Sequence, residues 1–122
     1  MSGTEFVLER DGLGPLTFEG FELSHVSTET SYKDRWVELT LYRTTGGSYI
    51  TQVVGQSRRP GEVPRTSIKV HDTATQAVHS FVKRKTLELS RPAVDLLEYA
   101  ADCDDAISDV LDIIAEQPQR IN

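Results

Sequence analysis

Seven acids, Asp95, Glu98, Asp102, Asp105, Asp109, Asp112 and Glu116, recur at steps of three and four residues, with no lysine or arginine between the first and the last. An α-helix gathers side chains so spaced onto one face. Leu96, Leu97, Ala100, Cys103, Ile107, Val110, Leu111 and Ile114 fall opposite, which makes the segment strongly amphipathic. Ser90 is placed to cap this helix and Pro92 sits in its first turn, where the missing N–H costs no hydrogen bond. Unbroken, the helix would carry an acidic stripe about 30 Å long; a break near Asp102–Asp105 leaves both stripes in phase. Neighbouring like charges cost about 0.2–0.5 kcal/mol per pair, and acids late in a helix oppose its dipole. A stripe with this cost predicts something that offsets it.

Upstream the period changes. Val37, Leu39 and Leu41 alternate with Trp36, Glu38, Thr40 and Tyr42 over residues 35–44, the period of a strand. Gly46-Gly47 then predicts a tight turn into a second strand through Tyr49, Ile50, Val53 and Val54. Residues 16–26, interrupted by Gly20, read as a bulged strand, and 66–70 as a fourth. Residues 56–65, with two prolines and a glycine, read as an exposed loop. Asp72 or Thr73 can cap a helix running to about Val82. The expected fold is therefore α+β: an antiparallel four-stranded meander followed by two or three helices packed on one face. One domain spans 1–122, with the sheet over about 16–70 and helices over about 73–116. Gly12, Gly14 and Pro15 mark a turn, before which residues 1–11 read as a short strand or a loose arm; 1–12 and 118–122 are candidates for loose ends.

The net charge of −6 conceals a segregation. Residues 1–32 carry six acids and Arg10, 33–85 carry ten Lys/Arg against four acids, and 86–117 carry nine acids and Arg91. Met1–Glu9 lacks the basic and apolar regions of a secretory signal, and no apolar run approaches the length of a membrane helix. Cys103 is the single cysteine, which excludes an internal disulfide and a cysteine-based zinc site. The location expected is cytoplasmic.

A strand ending Leu41-Tyr42-Arg43-Thr44, a glycine turn, Tyr49 in the next strand and a later strand–helix pair resemble small bacterial proteins called EXLDI proteins after a C-terminal Glu-x-Leu-Asp-Ile motif. Here Asp109-Val110-Leu111-Asp112-Ile113 matches with Asp for Glu. The likeness covers about residues 35–113. Unlike that pattern, the motif is followed by nine more residues and lies inside a predicted helix. The resemblance implies no established chemistry.

Two surfaces compete for a role. The first is the acidic face, with Asp95, Glu98, Asp102, Asp105, Asp109, Asp112 and Glu116 as partner-binding residues. It can be simply solvated, or pair with Lys83-Arg84-Lys85 and Arg58-Arg59 within the chain or a homodimer, or receive a basic protein partner. A line of carboxylates can also imitate a phosphate backbone, so an inhibitor or mimic acting on a nucleic-acid-handling protein is one form of that last reading. The second surface is basic: Arg58, Arg59, Arg65 and Lys69 for phosphates, with Trp36 and Tyr42 for stacking on bases. Acidic ends and a negative net charge weigh against nucleic acid, and apolar groups on both faces of the strand weigh against a docking platform. A homodimeric structural module is the third reading.

His25, His71 and His79 are scattered without ligand spacing, and no phosphate loop, nucleophile elbow or zinc motif occurs. Carboxylates pointing outward from one helix do not converge on an ion. Cys103 falls on the apolar face and is expected to be buried and inert. No catalytic residue, metal or cofactor is expected. The reading is a non-enzymatic binding protein that presents an acidic helix face to a basic partner.

Overall fold

The computed structural model describes residues 3–82 and 89–116. Five antiparallel strands in the order β1-β2-β3-β4-β5 form one curled, half-barrel sheet, where four were expected. The additional strand is β1 (Thr4–Arg10), in the segment left open between a short strand and a loose arm. It pairs with β2 (Leu13–Ser27) through a two-residue loop, Asp11-Gly12, with Arg10 opposite Leu13. Gly12 adopts φ +71°, the left-handed conformation such a hairpin loop requires. Phe6 and Leu8 then turn to one face while Glu5, Val7 and Glu9 turn to the other, the alternation of a half-buried strand. The sheet thus runs from Thr4 to His71 rather than over 16–70.

The central hairpin lies where the alternation placed it. β3 (Arg35–Thr44) and β4 (Tyr49–Ser57) pair from Arg35↔Ser57 to Arg43↔Tyr49 around a turn in which Gly47 has φ +94°. β5 (Arg65–His71) completes the sheet beside β4. A register shift between Glu22 and Ser24 bends the long strand β2, which pairs with β1 along its first half and with β3 along its second. The bend curls the sheet until β1 approaches β5, and the backbone N–H of Thr66 donates to Asp11 Oδ2 at 2.8 Å.

The two faces carry separate cores. Inside the curl, Leu8, Tyr42 and Ile50 are buried against Phe6, Leu16, Phe18 and Ile68. The rings of Phe6, Phe18 and Tyr42 meet pairwise at 5.0–5.3 Å between centroids. Outside, Leu39, Leu41 and Tyr49 pack beneath three helices through Ala77, Val78, Leu96, Leu97, Ala100 and Ile107. The molecule is α+β.

α1 (Ala74–His79) begins at Thr73, whose hydroxyl accepts from the Gln76 N–H. α2 (Arg91–Ala101) begins at Ser90, whose hydroxyl accepts from the Ala93 N–H, with Pro92 in the first turn. α2 stops at Ala101, and α3 (Asp105–Glu116) starts a new helix. The single 30 Å stripe is therefore divided in two. The cause is Asp104: its side chain accepts from the Ile107 N–H at 3.0 Å and so supplies an N-cap in the middle of the periodic run. The division also eases the charge problem. Asp105 falls in the first turn of α3, where the positive end of the dipole favours an acid; independently of the break, Asp95 pairs with Arg91 at 3.2 Å within α2.

Cys103 lies in the turn between the helices and is exposed, not buried, because the helical phase ends two residues before it. Desolvation, then Asp104 and Asp102, push its thiol up, which disfavours the nucleophilic thiolate. Lys83-Arg84-Lys85 and residues 118–122 lie outside the described residues. Among the described residues, no helix is long and apolar enough to cross a membrane.

Candidate functional site

Of the seven stripe residues, three converge. Residues of α2 that do not face the sheet, Val94, Glu98 and Ala101, look across at Ser108, Leu111 and Asp112 of α3. A groove of about 440 Å³ lies between them. Its floor is apolar, made of Leu89, Val94, Ala101, Leu111 and Ile114, and its rim carries Glu98, Asp102 and Asp112. Among the described residues no cationic side chain lies within 4.0 Å of those three carboxylates. Asp95 is turned to Arg91 and stays outside the groove. Asp105 and Asp109 are exposed elsewhere on α3. Glu116 closes α3, and its side chain lies outside the described part. Tyr99 and Ile113 add exposed apolar area on the two helices.

The residue that sets this arrangement is one the stripe pattern omits. Asp104 is 2% exposed. Its carboxylate accepts from the Tyr49 hydroxyl at 3.1 Å, from Arg43 Nη1 at 3.0 Å and from the Ile107 N–H. Arg43 also lies over the Tyr49 ring, 5.7 Å from its centroid. Strands β3 and β4 are thereby tied to the first turn of α3, and the position of α3 against α2 defines the groove. Asp104 is out of phase with the seven stripe acids, and Asp three residues before an apolar helical position is an N-cap signature. Those two signals together could have found it.

Burial and the Asp104 carboxylate push the Tyr49 hydroxyl up from 10.0 to about 12. A proton held more tightly in the folded state stabilises it. That stabilisation is complete below about pH 10, the unfolded value, and is lost as pH rises toward about 12. Tyr42, raised mainly by burial, acts in the same direction. Folding stability should therefore fall across pH 10–12 in denaturant titrations, with a shallower fall in Tyr49→Phe. Equal slopes for the two proteins would rule out the Tyr49 contribution.

The basic candidates are largely engaged within the chain. Arg58 donates to the carbonyls of Thr30 and Lys33 and to Glu29 at 2.7 Å, and its guanidinium lies 4.5 Å above the Trp36 ring centroid. Arg59 is 3.6 Å from Asp34. Together they fasten the loop after β4 to the loop before β3. Glu62 accepts from Arg35 at 3.1 and 2.5 Å and from Ser57 at 2.6 Å, and these bonds hold its carboxyl down at about 2. Tyr42 is 5% exposed and cannot stack on a base. Trp36 is half-buried, and its indole N–H donates to Glu38 at 3.2 Å. Arg65 and Lys69 remain exposed on β5 without a carboxylate partner among the described residues.

The histidines are far apart in role. His25 Nδ1 lies 2.8 Å from Thr40 Oγ1, and His71 Nε2 lies 3.1 Å from Thr51 Oγ1. Among the described residues, no three His, Cys, Asp or Glu side chains are arranged to hold a metal ion. Compared with protein-family models, curated proteins and solved structures, the chain matches none.

Proposed function

We propose that the chain is a binding protein whose α2–α3 groove receives a basic, amphipathic segment of a partner protein. The observation that carries this is the apolar floor framed by Glu98, Asp102 and Asp112. Such a floor accepts the apolar side of a segment while the rim attracts its lysines and arginines, as in helix-in-groove recognition. The helix break sets three of the acids, Glu98, Asp102 and Asp112, as a rim around a groove, which suits a short amphipathic segment better than it suits imitation of a continuous phosphate backbone. Intramolecular engagement of Arg58 and Arg59, and burial of Tyr42, favour this reading over nucleic-acid binding. A reducing compartment such as the cytoplasm suits the exposed Cys103 thiol.

The test is affinity capture at low salt with the wild type and with Glu98→Gln/Asp102→Asn/Asp112→Asn. The wild type should retain a partner through a basic segment, and the variant should lose it. The variant should be as stable as the wild type or slightly more so, since the Glu98–Asp102 repulsion of about 0.2–0.5 kcal/mol disappears. Added salt should weaken wild-type capture, because a solvent-exposed acidic rim is screened. Identical capture by both proteins would remove the groove from consideration.

A further inference from the structure

At the end of the sheet away from the β3–β4 turn, the strands run past the helices and leave a cleft of about 560 Å³, within the range of small-ligand sites. Its floor is Val37 and Gly55, directly opposite each other on β3 and β4. Val63 of the loop after β4 stands over it, 76% exposed. Arg65 on β5 pairs with Gly55 and so shares its face of the sheet.

Gly55 is the informative residue. It lies in β4, between β3 and β5, where glycine costs about 0.5–1 kcal/mol relative to alanine. Its conformation does not require glycine, because it is not among the residues with positive φ. Nor does packing, since a Cβ there would meet only the Arg65 carbonyl, at 3.9 Å. What the missing side chain provides is the space above the floor. The cleft is also firm on one side: Glu62 is locked by Arg35 and Ser57, which neutralises the one carboxylate in the lining among the described residues. The Arg65 guanidinium, in contrast, has no carboxylate within 4.0 Å among the described residues. It is therefore a cation free to meet a ligand beside an apolar floor.

We propose that this cleft binds a small organic anion, its apolar body on Val37, Gly55 and Val63 and its carboxylate or phosphate on Arg65. The site is separate from the α2–α3 groove and stands or falls independently of it. The direct test titrates the full chain with octanoate and, in a parallel arm, with phenyl phosphate, the two arms distinguishing carboxylate from phosphate sources. Binding is read by NMR shifts at the Gly55 and Arg65 amides and by calorimetry. Trp36, the single tryptophan, borders the cleft beside Val37, with its ring turned to the other face of the strand, and gives a secondary fluorescence readout.

One arm should saturate with Kd below about 1 mM. Gly55→Leu should abolish that binding by filling the floor, and Arg65→Gln should weaken it about tenfold, as for loss of a charge-assisted hydrogen bond. Inorganic phosphate alone should not compete at the same concentration. No saturable binding in either arm, equal binding of inorganic phosphate, or binding unaffected by Arg65→Gln would each overturn the proposal. Arg65 is exposed on the surface, so that last variant decides the matter even if Gly55→Leu perturbs folding.

Discussion

Asp104→Ala is expected to lower folding stability by about 2–4 kcal/mol, mainly from a buried hydroxyl left unsatisfied and a lost helix cap, because Arg43 is 44% exposed and water can solvate it. Three losses coincide. The Tyr49 hydroxyl, in a residue 2% exposed, is left without its acceptor; Arg43 loses its charge partner; and α3 loses the cap on Ile107. Urea denaturation of the two proteins measures the difference. Asp104→Asn should recover part of it, since an amide oxygen can still cap the helix and accept from Tyr49, yet offers Arg43 no charge. A loss for Asp104→Ala below about 1 kcal/mol, the scale of an exposed salt bridge, would mean that Asp104 does not organise the junction. Because Asp104 fixes the start of α3, the variant should also lose groove binding, in contrast to the rim substitutions, which are expected to spare stability.

Gly20→Ala is the second large effect, expected at about 3 kcal/mol, at the upper end of ordinary overpacking. Gly20 pairs with Thr4 on β1 and Thr44 on β3. A Cβ added there would stand 2.8 Å from Thr44 Cα and closer still to the Arg43 carbonyl oxygen. Those atoms belong to the β2–β3 ladder, so no side-chain rotation relieves the clash and the strands must separate. Thermal unfolding followed by circular dichroism would show a lowered midpoint. Gly55→Ala provides the contrast, because its Cβ would make only an ordinary contact, 3.9 Å from the Arg65 carbonyl oxygen. Equal midpoints for Gly20→Ala and the wild type would mean that β2 and β3 are not packed this closely. The two glycines look alike in the sequence, and only their neighbours distinguish them.

Several elements were legible beforehand because their determinants are local. The alternation from Trp36 to Tyr42 and the Gly46-Gly47 turn located the β3–β4 hairpin. Ser90 marked one helix start and the pair Asp72/Thr73 another, with Thr73 the one that caps, through side chains that reach only three residues ahead. β1 was legible in principle, since Asp11-Gly12 is a hairpin signal, but a strand of seven residues with charged neighbours looks loose until a partner strand and a second core are present. The break between α2 and α3 was obscured for a different reason. Asp102 and Asp105 keep the helical phase on either side of it, and periodicity cannot register that Asp104 has a better partner in Tyr49, fifty-five residues away.

The candidate sites divide along the same line. Spacing alone showed that the C-terminal region is helical, amphipathic and acidic, because helical period and side-chain charge are properties of the local chain. Tertiary structure decided which acids act together: Glu98, Asp102 and Asp112 surround one groove, whereas Asp95 is paired locally, with Arg91 one turn earlier on the same helix. It also decided that the basic loop is fastened inward, through Arg58 on Trp36 and the carbonyls of Thr30 and Lys33, and that Arg65 stands beside an apolar cleft. A charge read from sequence is only a capacity for interaction. Its use depends on which groups the curled sheet and the capped helices bring within hydrogen-bonding distance, and those groups are tens of residues apart along the chain.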